Sequence, residues 1–205
     1  LVRRDPASGS FYNAMVAYSG GEQWYYKRHL VPFGEFFPVP AVVREWMRLM
    51  NLPYSDFDAG PDDQKPLAAG GETLAPTICY EDAYGVEQVG IVRQSTLLVN
   101  VTNDAWFGDS SAPHQHLDIS RMRSLETGRP MLRATNDGVT ALIAHDGGLL
   151  GVLPQFQPGV LTGSIMPRTG FTPYLRFGNW PLLALIYLGL AVGFAGWRIR
   201  RGDEG

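Results

Sequence analysis

A run of eighteen residues from Trp180 to Trp197 (WPLLALIYLGLAVGFAGW) carries no charged side chain and ends against Arg198-Ile199-Arg200-Arg201. At about 1.5 Å of rise per residue, such a run makes about 27 Å of helix, close to the roughly 30 Å hydrocarbon core of a bilayer. Pro181 suits a first helical turn, and Trp180 and Trp197 stand where amphipathic aromatics settle at a membrane interface. A buried core helix is the competing reading, but a core helix of this length ordinarily keeps a polar face. The pattern predicts one C-terminal transmembrane helix over 180–197, with 198–205 as a cytoplasmic tail because basic flanks stay on the cytoplasmic side.

Everything before the run has another character. Apolar stretches rich in β-branched residues alternate with helix-compatible ones, which predicts an α/β domain over 1–170 and a juxtamembrane linker over 171–179. Phe11–Tyr18 and Glu22–Lys27 read as a hairpin around Ser19-Gly20-Gly21. Val42–Met50 reads as a short helix whose Trp46 and Met50 stripe is core packing, and Asn51–Gly71 as a Pro/Gly/Asp-rich loop. A strand ends at Thr77–Cys79, a helix follows over Glu81–Arg93, a buried strand over Thr96–Thr102 and a helix over Pro113–Thr127. Leu132–Thr135, Val139–Ala144, Leu149–Leu153 and Val160–Ile165 complete the predicted strands. The net charge of −3 and pI near 5.8 give no ground for a nucleic-acid partner.

Cys79 is the single cysteine of the chain, so it forms no internal disulfide and is either inert packing or a nucleophile. A strand that stops at cysteine and turns into Tyr80-Glu81-Asp82 favours chemistry, because a helix N-terminus stabilises a thiolate. Lys27 follows an aromatic run (Trp24, Tyr25, Tyr26), an unusual setting for a solvated surface lysine. Its ammonium can hold a thiolate and a tetrahedral oxyanion, and the Tyr80 backbone N–H is a natural second donor. Glu35 is flanked by Phe33, Gly34, Phe36 and Phe37, where a carboxylate is costly unless paired.

Taken in order, Lys27 with Pro32-Phe33-Gly34-Glu35, Ile78-Cys79-Tyr80-Glu81 and Asn103-Asp104-Ala105-Trp106-Phe107-Gly108 resemble the nitrilase superfamily. Within it they resemble the apolipoprotein N-acyltransferase branch. His114-Gln115-His116, Gly128-Arg129-Pro130, Thr135-Asn136-Asp137-Gly138, Thr169 to Tyr174 and Gly178-Asn179-Trp180-Pro181 extend the likeness over nearly the whole chain. The resemblance implies the four-layer αββα sandwich of nitrilases, followed by the C-terminal transmembrane helix. It implies Cys79 as nucleophile, Lys27 as its partner, Glu35 beside Lys27 and Glu81 as a functional glutamate. Glu81 has a plain alternative, an acidic residue offsetting the dipole of a helix's first turn. The family's base, a further glutamate, would precede Leu1, so the 205 residues are expected to catalyse poorly without it.

Tyr80, Trp106 and Phe107 read as the wall of a substrate pocket, with core packing as the alternative. His114 and His116 tempt a metal reading, but without acidic or thiol partners at ligand spacing they fit hydrogen bonding at a helix start. Neither a metal nor a cofactor is called for. Arg121, Arg123, Arg129 and Arg133 fit phosphate contacts, a solvated face or structural ion pairs. The resemblance implies a phospholipid as acyl donor and a diacylglyceryl-modified apolipoprotein as acceptor. It also implies a bacterial inner membrane, with the catalytic domain periplasmic. A carbon–nitrogen hydrolase that passes the acyl group to water, and an inactive membrane-tethered module, are the alternatives.

Overall fold

The structure, a computed structural model, describes residues 1–50 and 57–202. Three strands, β1 (Val2–Arg4), β2 (Phe11–Tyr18) and β3 (Glu22–Tyr26), form an antiparallel sheet in sequence order. The predicted hairpin is the β2–β3 pair, with Ala14 opposite Tyr26 and Tyr18 opposite Glu22. Helix α1 (Ala41–Leu49) follows.

The larger sheet has six strands in the order β4 (Leu67–Ala69), β5 (Glu72–Ile78), β6 (Leu97–Asn103), β7 (Met131–Asn136), β8 (Ala141–Ile143) and β9 (Leu149–Val152). The β5–β6 and β6–β7 pairs are parallel and the outer pairs antiparallel, so the sheet is mixed. Each parallel crossover carries a helix, α2 (Gly85–Val92) and α3 (Ala112–Thr127), as parallel strands require.

The two-residue period of a strand sends alternate side chains to opposite faces. Ala75, Thr77, Leu98 and Met131 meet Val92, Arg123 and Thr127 of the helices. Ile78, Val101 and Ala134 face the other way, onto a cleft shared with Ala14 of the small sheet. Helices, large sheet and small sheet are therefore stacked in that order, a nitrilase-like α/β arrangement with Tyr25, Val92, Leu98, Met131 and Ile143 in its core.

Several boundaries differ from the sequence expectation. The Trp46 and Met50 stripe is exposed, not packed in the core, and Val42, Val43 and Leu49 are exposed with it. Of the predicted loop over 51–71, residues 51–56 lie outside the described residues, and 67–69 pair with β5 as strand β4. The helix expected over 81–93 is split: a 3-10 turn covers Cys79–Ala83 and α2 begins only at Gly85. The strand expected over 139–144 shortens to β8, and 160–165 forms no strand.

Residues 171–179 include a short helix, α4 (Pro173–Phe177), opened by Thr172, whose hydroxyl accepts from Leu175 N–H. Leu175 is buried in the core. Arg93 Nε and Nη2 donate to the Leu175 and Arg176 carbonyls, Arg129 Nη2 to the Gly170 carbonyl, and Thr172 Oγ1 to the Glu126 carbonyl. Helix α5 (Trp180–Gly202) follows, and none of the residues in its 180–197 stretch, of mean hydropathy 1.7, is buried inside the fold.

Gly60 N–H donates to the Lys27 carbonyl at 2.8 Å, where a Cβ would lie 2.6 Å from the Tyr26 carbonyl oxygen. Gly60→Ala is expected to push the 57–60 segment off β3 and cost about 1–3 kcal/mol. Urea denaturation of the detergent-solubilised protein measures it; an unchanged midpoint contradicts the close approach.

Candidate active site

The parallel strands β5, β6 and β7 end side by side, and the residues at or just past those ends, Cys79, Asn103 and Asn136, line one cleft of about 1050 Å³. Carboxyl ends of parallel strands are the usual floor for a site in an α/β sheet. Cys79 has φ of +56°, a left-handed conformation that costs a non-glycine residue about 1–3 kcal/mol. That sharp turn separates strand β5 from the 3-10 turn and leaves Cys79 half-buried in the cleft wall. Because α2 starts six residues later, an α-helix dipole does not act on the thiol directly. What the thiol has is the short turn, whose leading N–H groups, Tyr80 among them, lack acceptors within the turn.

Lys27 leaves the end of β3 fully buried, which rules out the solvated-lysine reading. Its ammonium lies 2.8 Å from Glu35 Oε1 and 2.7 Å from Oε2, and 5.9 Å from the centre of the Tyr80 ring. Glu35 also accepts from Asn13 Nδ2 at 2.6 Å and from the Val31 backbone N–H at 2.8 Å. The tight turn over Val31–Phe36, with Phe33 at φ of +62° and the Glu35 N–H on the Val31 carbonyl, folds the carboxylate back onto the lysine. Both Glu35 oxygens are thereby taken up by donors from Lys27, Asn13 and Val31. Asn13 escaped the sequence reading, since an asparagine inside a strand carries no local signal for a partner in a distant turn.

Glu81 lies beneath the cleft and not in its wall. Its fully buried carboxylate accepts from the Ile78 N–H at 2.7 Å, the Arg28 N–H at 2.7 Å, the His29 N–H at 3.2 Å and the Tyr25 hydroxyl. Burial pushes its carboxyl above the usual range against the pull of those amides. The Ile78 contact is the glutamate half of a capping box. The others join the nucleophile turn to the residues that follow Lys27, a role different from offsetting a helix dipole.

Tyr80, Trp106 and Phe107 all line the cleft. Trp106 is 83% exposed and Phe107 44%, so both belong to a rim, not to the core. They sit on a 3-10 turn (Ala105–Phe107) just after β6. The Tyr80 hydroxyl lies 2.7 Å from that of Tyr84, whose ring stacks on His29.

Behind the cleft is a charged cluster that the sequence reading missed. His116 is buried, with Nδ1 3.0 Å from Asp104 Oδ1 and Nε2 3.1 Å from Asp82 Oδ1. Arg133 donates to Asp104 Oδ2 at 3.1 Å, to Asn100 Oδ1 at 2.7 Å and to Ser120 Oγ at 2.7 Å, and its Nη1 is 3.5 Å from Asp82 Oδ2. Asn100 Nδ2 in turn donates to the Cys79 carbonyl at 3.0 Å. Burial alone would favour a neutral His116 ring, but the Asp104 and Asp82 hydrogen bonds outweigh it and raise its pKa from 6.5 to about 9. Burial also opposes the Asp104 anion, yet His116, Arg133 and Thr102 hold that carboxyl below its usual range.

His114, by contrast, is exposed. Arg133 and Arg123 make ion pairs within the fold, Arg121 pairs with Asp118, and Arg129 binds the Ser95 and Gly170 carbonyls. Among the described residues, no group of three or more His, Cys, Asp or Glu side chains is arranged to hold a metal ion.

Residues 1–174 match the carbon-nitrogen hydrolase family. The chain is 47% identical over 202 residues to an apolipoprotein N-acyltransferase of Azotobacter vinelandii, covering 98% of this chain and 38% of that protein. It is 49% identical over 175 residues to one of Methylococcus capsulatus, covering 85% of this chain and 35% of that protein. It thus spans well under half the length of these relatives. Among solved structures, a carbon-nitrogen hydrolase from Helicobacter pylori has a TM-score of 0.53 at 16% identity, covering 75% of this chain and 56% of that one. The C. elegans NitFhit protein has the same TM-score at 14% identity, covering 74% of this chain and 37% of that one, and both show the nitrilase-like fold.

The stability that the His116 bridge contributes is fully present below pH 6.5, the ring's ordinary pKa, and is lost as pH rises through about 9, its folded value. Raising the pH from 6.5 to 10 is therefore expected to lower the melting temperature of the wild type, by up to about 3 kcal/mol in stability. His116→Gln, already destabilised at pH 6.5, should fall less over the same range. Parallel pH curves for the two proteins contradict the protonated bridge.

Proposed function

Because the chain belongs to the carbon-nitrogen hydrolase family, we propose that Cys79 is the nucleophile of an acyl transfer that moves a fatty acyl group from a phospholipid to the N-terminal amine of an apolipoprotein. The observation that carries this reading is a strained cysteine turn in an apolar-walled cleft also lined by Glu35, whose carboxylate pairs with the fully buried Lys27. The extent of identity to apolipoprotein N-acyltransferases supports the choice of donor and acceptor over a soluble amide. An exposed apolar helix and the Trp106–Phe107 rim support a substrate that comes from a bilayer.

In the first half of the reaction the thiol proton passes to a base and Cys79 Sγ attacks the ester carbonyl carbon. The tetrahedral oxyanion is held by the Lys27 ammonium and the Tyr80 backbone N–H. An ammonium has three N–H donors, and Glu35 faces only part of that set, so the lysine can reach a second acceptor. The ester C–O bond breaks, the leaving alkoxide takes the proton as a lysophospholipid, and a thioester remains on Cys79. In the second half the acceptor amine attacks the thioester carbon and loses its proton to the base. The C–S bond then breaks, an amide forms and Cys79 is regenerated.

Glu35 orients Lys27; Glu81 fixes the spacing between the Lys27 strand and the nucleophile turn. Both carboxylates are committed to those contacts. The proton acceptor is therefore assigned to the glutamate that the family resemblance places before Leu1. The cleft and α5 would then lie on a bacterial inner membrane, with the catalytic part periplasmic and the Arg198–Arg201 end cytoplasmic.

Full-length enzyme incubated with phospholipid is expected to carry a hydroxylamine-labile fatty-acyl adduct on Cys79, read by intact and peptide mass spectrometry. Cys79→Ala should lack it, and an unchanged adduct in that variant removes Cys79 from the mechanism. Release of free fatty acid without transfer to an amine would favour the hydrolase.

Lys27→Arg keeps the charge but puts a planar fork into a closed site, and is expected to lower adduct formation about 10²–10³-fold while the protein stays folded. Near-normal turnover in that variant contradicts the oxyanion role.

A further inference from the structure

The charged cluster behind the cleft joins two segments that the acyl-transfer reading treats as separate parts. Asp82 belongs to the 3-10 turn that begins at Cys79. Asp104 immediately precedes the turn that carries Trp106 and Phe107. His116, on α3, reaches both carboxylates through its two ring nitrogens, at 3.1 and 3.0 Å. Only an imidazolium donates from both nitrogens at once, so the ring bridges the two turns as a double donor. Arg133 closes the other side, contacting Asp104 and Asp82 through separate guanidinium nitrogens, and Ser120 adds a hydrogen bond to Asp82. Two buried cations then face two buried anions, and all four side chains are nearly or fully inaccessible to water. Breaking such a pair by removing one partner costs far more than a surface pair would.

The backbone is built around this cluster. A Cβ on Gly138 would lie 2.3 Å from Asp104 Oδ2, so the glycine leaves room for that carboxylate. Asp104 N–H donates to the Asn136 carbonyl and Thr102 Oγ1 to Asp104 Oδ1, which fixes the carboxylate at the end of β6.

We propose that His116 is a positioning residue that clamps the nucleophile turn to the Trp106–Phe107 turn, keeping Cys79 in register with the apolar wall that receives the acyl chain. The proposal rests on the reading of that wall as an acyl-chain site, but its test does not require turnover. Chain-dependent reactivity of the thiol measures the register. Full-length protein in detergent is alkylated with iodoacetamide and, separately, with N-dodecyl iodoacetamide, and Cys79 modification is followed by peptide mass spectrometry. Wild type should react faster with the long-chain probe, because the chain lies along the wall while the thiol attacks.

In His116→Gln, which retains one donor and cannot bridge, the long-chain preference should fall about tenfold while the small-probe rate changes less than threefold. Asp104→Asn keeps the shape and removes one anchor, and should move the ratio the same way. It carries the test if His116→Gln loses cooperative melting. A folded variant whose probe ratio matches wild type overturns the clamp, as does one in which both rates fall equally, since that reports a damaged thiol and not a lost register. If wild type itself shows no chain preference, the acyl-wall reading fails. The clamp is then judged by hydrogen exchange, where joint loosening of 79–83 and 103–108 in the variants supports it and loosening of neither or only one overturns it.

Discussion

Glu81 takes hydrogen bonds from backbone N–H groups of two segments far apart in sequence, Ile78 at the end of β5 and Arg28 and His29 just after β3. A buried carboxylate is tolerable only when its oxygens are satisfied, and here the satisfaction comes from main chain. The two strand ends that deliver Cys79 and Lys27 belong to different sheets, and nothing in a ladder of strand pairs would set the distance between them. The carboxylate sets it. The left-handed Cys79 turn and the buried ammonium both depend on this brace, because each would otherwise relax toward a cheaper geometry.

Around that brace, two groups of ion pairs flank the cleft. Lys27 and Glu35 form one, at the cleft wall; His116, Arg133, Asp82 and Asp104 form the other, behind it. Each group balances its own charge. The cleft between them is therefore mostly apolar despite the number of ionisable residues nearby, with Ile78, Val101 and Ala134 on its floor. Such a space suits an apolar group, and its low polarity strengthens the few electrostatic contacts made at its edge.

What the sequence disclosed follows from the range of the forces involved. The β2–β3 hairpin, the apolar β6 strand, α3 and the charge-free α5 are written in local periodicity and turn chemistry, and all were legible. The unusual settings of Cys79, at a left-handed turn, and of Lys27, fully buried, were legible because an isolated thiol and an aromatic-flanked lysine each break the ordinary pattern. The exposure of Trp46 and Met50 was not, since periodicity marks a stripe without saying whether anything covers it. Splitting 81–93 into a 3-10 turn and a helix depends on where Glu81 sends its carboxylate, which no local rule fixes. The four-residue charge cluster was least legible. Its members come from the nucleophile turn, the end of β6, α3 and β7, and each alone resembles a surface charge or a helix-start histidine. Asp104 did stand in a quoted motif, but that motif drew attention to its aromatic neighbours.

The joint between the α/β domain and α5 is held by Arg93 and Arg129, which grip the carbonyl oxygens of Gly170, Leu175 and Arg176, with Leu175 as its plug. Main-chain oxygens are offered by every residue type, so this bracket is largely indifferent to the side chains it holds. The outward positions of α4, such as Phe177, are free to drift in sequence while the domain keeps its seat on the helix. Latitude of that kind lets the surface at the base of α5 vary in sequence while the core behind it stays unchanged.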